Sequence, residues 1–489
     1  MYARRLPFVY SGMPLFQERV LAARPVQLRQ ALSRSRAVPA AMAAACAVGA
    51  IWLYVAGART HAREMNVEKS RGDQTAYLGY ALDVYANRHG RNPPITYRRN
   101  RMPLYPFIQS FVYDPAMSHW DFFYAGREFN IWLSLACLAL LAAVFWRLLP
   151  ALVAAELTLI LMFGCFIYKA GYFQPELLFY TIFFCTFLVT CQWLAARSPE
   201  RLLVLGGSAG VLAALAHLTK AALLPFVAIA LAMGLVRALG PLVHPTGLRA
   251  TSGRLLAWRL VAVLALAACF LGTLWPYLFT SKRVFGQYFY NVNTTYYAWY
   301  DGWDDVIRGT RAHNNEVQRP RLPGRELPGP AKYLREHTAG EIASRIGGGL
   351  ADMWRVSWRG YGYLKYVLLY SAFALVLVLS RGRAVAAVLR RHPLHVAFVA
   401  TYAAVYLLLT AFYHPISNTG TARFLLIHLA PLMFTAAWVF TRRPIRRARW
   451  QAGQVVLTAD HFHIFVLGTL ILDITLETWP RLMTVYGGF

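Results

Sequence analysis

Charge is scarce in this chain, and acid is scarcer than base. Only 15% of the 489 residues are charged, Lys and Arg outnumber Asp and Glu by 50 to 22, and 57% are hydrophobic, far more than one soluble core needs. That excludes an ordinary soluble enzyme. The net charge of +28 would suggest a nucleic-acid partner in a polar chain, but here the basic residues flank long apolar runs, so no nucleic acid is expected. The aromatic poverty of disordered chains is missing too, with 14 Trp, 28 Tyr and 29 Phe. Cysteine is sparse, and all six (Cys46, Cys137, Cys165, Cys185, Cys191, Cys269) fall inside apolar runs. Neither a disulfide framework nor a zinc site is expected. D-x-D, G-x-S-x-G, P-loop and H-E-x-x-H motifs are all lacking. His461 and His463, two apart on a presumed helix, point about 200° apart. No cofactor is required on this reading, and at most one loosely held divalent cation enters.

Apolar runs long enough to span a bilayer, about 20 residues each, occur near 38–56, 130–149, 151–168, 175–194, 202–219, 221–239, 258–279, 361–380, 394–413, 423–441 and 461–479. The expected fold is an all-α polytopic membrane protein of about eleven transmembrane helices with two long outside loops. Its parts are a basic amphipathic leader (1–37), a transmembrane domain (38–479) containing outside loops at 57–129 and 280–359, and a short tail (480–489). The leader, where Phe16, Val20 and Leu28 interleave with Arg19, Arg24 and Arg29, is expected to rest on anionic membrane lipid. It is too long, and followed by too many spans, for a cleaved signal. With the N-terminus in the cytoplasm, 23 arginines in the leader and short connections fall on that side, against Lys169, Lys220, Arg423 and Arg481 opposite. Both long loops then face outward.

Tyr77, Tyr80, Ala81, Val84 and Tyr85 after Asp73 follow helical spacing, Pro93, Pro94, Pro103 and Pro106 mark a turn, and Phe107–Tyr113 forms a second apolar run. Two helices at the membrane surface are expected there. The second loop is aromatic from Tyr288 to Trp303 and rich in Pro and Gly from Pro320 to Pro330, which reads as a lid or binding loop rather than a domain.

Asp73 is the leading chemical candidate, as a general base toward an attacking hydroxyl at the outer surface. The competing reading is a helix N-cap, a role Asp fills well. Arg423, next to an outside segment otherwise uncharged from His414 onward, either snorkels to the interface or forks onto a lipid phosphate. Lys220, in a tight outside turn, poses the same choice. Glu176 and Arg127 stand at water boundaries, where a solvated face is the simpler explanation. Glu156, Lys365 and Asp473 lie in or near apolar runs, where charge is costly enough to mark function. Asp301, Asp304 and Asp305 cluster with Trp299, Tyr300 and Trp303, either to meet sugar hydroxyls or as plain loop surface.

Taken together, Gly72-Asp73-Gln74-Thr75-Ala76-Tyr77, Arg101-Met-Pro-Leu-Tyr-Pro-Phe107, Gly126-Arg127-Glu-Phe-Asn130, Leu218-Thr-Lys220 and Arg423-Phe-Leu-Leu-Ile-His-Leu-Ala-Pro431 resemble the GT-C glycosyltransferases, and most nearly the group of protein O-mannosyltransferases and lipid A aminoarabinose transferases. The resemblance implies an inverting enzyme that moves a sugar from a polyprenyl-phosphate carrier, such as undecaprenyl phosphate, to a glycan, lipid or protein hydroxyl on the periplasmic side of a bacterial inner membrane. By that resemblance Asp73 is the base and Arg423, Lys220 and Arg127 hold the donor phosphate. Glu176, Arg101, Tyr105, His414, Lys365, Asp301 and Asp304 are further candidates for substrate contact. Protein mannosyltransferases often carry a second acid after the first, whereas position 74 here is Gln, and only about ten residues follow the last run. Two other readings stand beside this one: a transporter or flippase for a lipid-linked sugar, which would place charge along a path through the bilayer, and a non-catalytic subunit of an envelope assembly. No internal repeat is present.

Overall fold

The computed structural model describes residues 25–70, 73–90, 99–243, 253–312, 327–359, 362–417, 421–452 and 455–483. Phe16, Arg19, Val20, Arg24, Pro93, Pro94 and most of the 320–330 stretch therefore lie outside the described residues. Residues 1–53 and 54–489 form separate compact units. A single helix, Pro25–Glu64, runs through the expected leader boundary without a break. The described chain is almost entirely helical; its strand content is one hairpin, Trp450–Ala452 with Val455–Leu457.

Ten helices among the described residues are long and apolar enough to cross a membrane. The tenth expected span, 423–441, is broken into Thr421–Leu426 and Leu429–Phe440. Pro431 accounts for the break: it has no N–H to offer the carbonyl of Ile427, four residues back, so the helical ladder opens there. Such breaks persist at membrane depth where protein surrounds them, and Leu426, Ile427, His428 and Leu429 are all buried.

The first long loop is shorter than the apolar runs suggested, because the helices on either side continue past the apolar residues, and the second is displaced a few residues toward the C-terminus. The first lies between Glu64 and His119, where a Ser118–Asp121 capping box starts the helix His119–Leu148. It carries two helices, Gln74–Arg88 and Leu104–Gln109. The second lies between Phe285 and Leu364 and includes a 21-residue helix, Ala339–Arg359, that the reading as a lid did not anticipate. Its inward face follows Ile342, Ile346, Gly349, Leu350 and Met353, with Gly349 and Met353 buried, a spacing interrupted to the eye by three consecutive glycines.

Close packing holds the spans together. In Pro199–Thr219, Gly206 and Gly210 face Gly253–Phe285; a Cβ at Gly210 would sit 2.3 Å from the carbonyl oxygen of Leu266, and one at Gly206 2.7 Å from that of Ala262. This four-residue spacing of glycines lets two backbones touch, as lipid-embedded helices often require. In the first long loop, Tyr77, Leu78 and Ala81 join Tyr105, Phe122, Phe123 and Phe173 in one buried cluster. That cluster anchors the helix Gln74–Arg88, and with it the residue just before.

Candidate functional site

Asp73 occupies the N-cap position of Gln74–Arg88 but accepts no hydrogen bond from that helix. Its φ of +74° is the only left-handed backbone value among described non-glycine residues, whereas a capping residue ordinarily has extended backbone. Gln74 explains how the strain is held. Fully buried, it exchanges amide hydrogen bonds with Asn66, Nδ2 donating to Oε1 at 3.0 Å and Nε2 donating to Oδ1 at 2.8 Å, and it accepts from the backbone N–H of Phe173 at 2.8 Å. The residue after Asp73 is thereby pinned on two sides, so Asp73 absorbs the turn. Position 74 is thus a structural amide, where a second carboxylate would find acceptors already in place.

Freed from capping, the Asp73 carboxylate meets cations. Arg101 Nη2 donates to Oδ1 at 2.5 Å and Arg423 Nη1 to Oδ2 at 3.2 Å, across 350 residues of sequence. Lys220 Nζ donates to Glu176 Oε1 at 2.9 Å, and Arg423 Nη1 lies 3.8 Å from the same oxygen. Three cations and two carboxylates from five separate parts of the chain therefore form one network. Each is positioned by its neighbours: Tyr180 donates its hydroxyl to the carbonyl of Arg423 at 2.5 Å, and Lys220 is extended in the turn after Pro199–Thr219, its N–H held by Ala216. Burial pushes the Asp73 carboxyl up, but the guanidinium groups of Arg101 and Arg423 and the ammonium of Lys220 outweigh it and hold the group well below the usual carboxylate range. Burial lowers the Lys220 ammonium, opposed by Glu176. The buried atoms in the network that lack hydrogen-bond partners include Arg423 Nε and Glu176 Oε2. Such groups are costly to leave unpaired.

No family model, no curated protein and no solved structure matches the chain. What the site does therefore follows from its own groups. An excess of one positive charge, with guanidinium forks at a membrane boundary, suits a singly charged phosphodiester more than a metal ion. Among the described residues, no group of three or more His, Cys, Asp or Glu is placed to hold a metal.

Glu176 and Arg127, expected at solvated boundaries, are both buried, 2% and 5% exposed. Glu176 joins the network, whereas Arg127 does not touch it: its Nη1 donates to the carbonyls of Ala62 and Asn66 near the end of Pro25–Glu64, under Phe123 and Tyr124. The guanidinium satisfies helix-end carbonyls there rather than facing a ligand. Tyr105 is completely buried, edge-on to Tyr77 and Phe173, with its hydroxyl bonded to Asn130 and Gln109; it supports the site from behind. The cation next to the network that sequence reasoning passed over is Lys169, 1% exposed and donating to Gln174 Oε1 at 3.1 Å. Its place beside the polar Gly171–Gln174 turn was the available signal.

The remaining candidates gather elsewhere. Asp301 pairs with His337 (3.1 Å) and Arg345 (3.3 Å), while His414 Nε2 lies 3.6 Å from Asp352 across a cavity of about 400 Å³ that Arg345 also lines. Asp304 is exposed. Lys365 contacts Asp473 and, at 3.2 Å, Glu477; Tyr366 donates to Asp473 at 2.7 Å. Glu156, within a span, accepts from the Tyr370 hydroxyl at 2.8 Å and meets His463 Nδ1 at 2.7 Å. His461 instead pairs with Thr458 at its own helix start.

Proposed function

We propose that the chain is a membrane glycosyltransferase of GT-C type that moves a sugar from a polyprenyl-phosphate carrier to an acceptor hydroxyl, with inversion, at the periplasmic face of a bacterial inner membrane. The observation that carries this reading is Asp73, strained and uncapped, held between Arg101 and Arg423 with Lys220 and Glu176 adjoining. The acceptor oxygen bonds to the anomeric carbon as that carbon's bond to the phosphate oxygen breaks. Its proton passes to Asp73, and the bonding electron pair leaves on the phosphate. The donor diester carries one negative charge and the released monoester two, so fixed cations bind the departing group more strongly as the bond breaks. Arg423 and Lys220 serve that purpose, with Arg101 beside them.

A carboxylate gripped by two guanidinium groups is a weak base. Donor binding relieves the grip, because a phosphate at Arg423 competes with Asp73 for the same N–H groups and lets the carboxyl recover basicity. Ordered binding follows: donor first, then acceptor activation.

The test is transfer by the purified full chain in nanodiscs, offered a panel of radiolabelled polyprenyl-phosphate sugars and envelope acceptors. Label reaching a new product with the native protein and not with Asp73→Asn supports the reading. Failure of every donor to bind or turn over argues against it. A transporter of lipid-linked sugar remains the second reading, favoured by the buried Glu156–His463 pair inside two spans. It predicts donor movement across proteoliposomes with no new glycosidic bond.

A further inference from the structure

At the opposite end of His119–Leu148 from the Asp73 loop lies a cavity of about 520 Å³, lined where three interhelical turns converge, at 147–150, 388–392 and 441–444. Four arginines enter its wall, Arg147, Arg391, Arg442 and Arg443, and no carboxylate does. Leu148, Leu149 and Val388 supply an apolar side. Arg442 is fixed in place, its Nε donating to the carbonyl of Trp438 at 3.0 Å and its guanidinium stacked 4.0 Å over the Trp438 ring. The side chains of Arg147, Arg391 and Arg443 make no hydrogen bond or ion pair among the described residues. The adjacent carboxylate, Asp460, is already taken by Arg446.

Arginines in short connections on one side are expected of any polytopic protein. That rule asks only for charge in loops; it does not ask that charge from three separate connections meet in one concave site without a counterion. At each turn one helix ends and the next begins, so the macrodipoles largely offset and side-chain charge sets the potential. Guanidinium forks fit phosphate oxygens, and the apolar wall fits what a lipid carries below its phosphate.

We propose that this cavity binds the headgroup of an anionic phospholipid bearing at least two negative charges. The phosphate sits among Arg147, Arg391, Arg442 and Arg443 while the glycerol and first acyl carbons lie on Leu148, Leu149 and Val388. Basic pockets between membrane helices hold lipids of this class. The site is independent of the transfer reaction and is built even if that reading fails.

Short-chain phosphatidic acid, titrated calorimetrically into the full-length protein in a zwitterionic detergent, tests it. Saturable binding is expected, weakened about tenfold to thirtyfold in Arg147→Gln/Arg443→Gln. Both side chains are exposed and lack partners among the described residues, so this variant keeps the native melting profile; Arg442→Gln, assayed alongside, gives an independent loss. The zwitterionic short-chain phosphatidylcholine does not bind, and inorganic phosphate displaces the lipid only at far higher concentration. Unchanged affinity in both variants overturns the proposal. So does displacement by inorganic phosphate at equal concentration, which would make the cavity a free-anion site. Arg308→Gln, altering an exposed arginine paired with Asp305, leaves affinity unaltered; an equal loss there would reduce the effect to general surface charge.

Discussion

Glu156 and Asp73 both sit against bases, and their settings differ. Glu156 is wholly enclosed between spans, with one histidine and one tyrosine using its two oxygens. Asp73 is half-buried between spans, in the first long loop, faces two arginines with a lysine nearby, and leaves cationic charge over. The Glu156–His463 pair joins two spans and satisfies both carboxylate oxygens, while His463 Nε2 stays buried without a partner. An open network with surplus charge and unpaired atoms at Arg423 and Glu176 has capacity for a ligand. Unpaired buried atoms occur in both settings, so what distinguishes Asp73 is the surplus of cations around it.

The sharpest way to break this contrast is Asp73→Asn. Asn tolerates left-handed backbone well, so the variant folds, binds donor and loses about 10²–10⁴-fold in transfer rate; single-turnover label transfer measures it, and near-native turnover would remove Asp73 as base. Next in size is Arg423→Ala, expected to weaken donor binding about tenfold to a hundredfold through loss of a charged hydrogen-bond donor. Equilibrium binding of a radiolabelled polyprenyl-phosphate sugar reads this, and an unaltered affinity removes Arg423 from the phosphate site.

The pH profile tests the grip on Asp73. Because its folded carboxyl titrates below the ordinary value, the stability that its ionisation contributes is fully present above about pH 4 and is lost only as pH falls through the lower folded value. The free protein therefore shows no acid limb from Asp73 in kcat/KM between pH 5 and 8, while kcat, which reports the donor complex, acquires its acid limb at higher pH than kcat/KM does. An acid limb near pH 6 in kcat/KM would contradict the ion-paired geometry. Smallest of all is Glu156→Gln, which leaves label transfer unchanged; a collapse of transfer with donor still bound would merge the two acids into one function and favour the transport reading.

Much of this fold is legible in the sequence because span length and apolar composition are imposed by the bilayer itself. Ten runs became helices at nearly the expected places. The broken one depended on a single missing N–H at Pro431, visible in the sequence but outweighed by hydropathy averaged over the run. Ala339–Arg359 escaped because Gly347, Gly348 and Gly349 lower helix propensity without preventing a face from packing. At the site, Asp73, Lys220 and Arg423 stood out as isolated charges on a charge-poor side. Glu176 and Arg127 occupy equivalent boundary positions yet do opposite things, and only the course of Pro25–Glu64, which brings Ala62 and Asn66 to Arg127, separates them. Tyr105 could not be told from a ligand-facing tyrosine until Phe173 closed over it.

The separation of 350 residues between Asp73 and Arg423 has a consequence in time. Chains are made at about 5–20 residues per second, so roughly twenty seconds to a minute pass between synthesis of the base and synthesis of its partner. Throughout that interval eight later spans are still being threaded into the membrane, and the nascent protein holds a carboxylate beside Arg101 alone. On the proposed function, a chain interrupted before Arg423 lacks the cation that would hold the donor phosphate against Asp73.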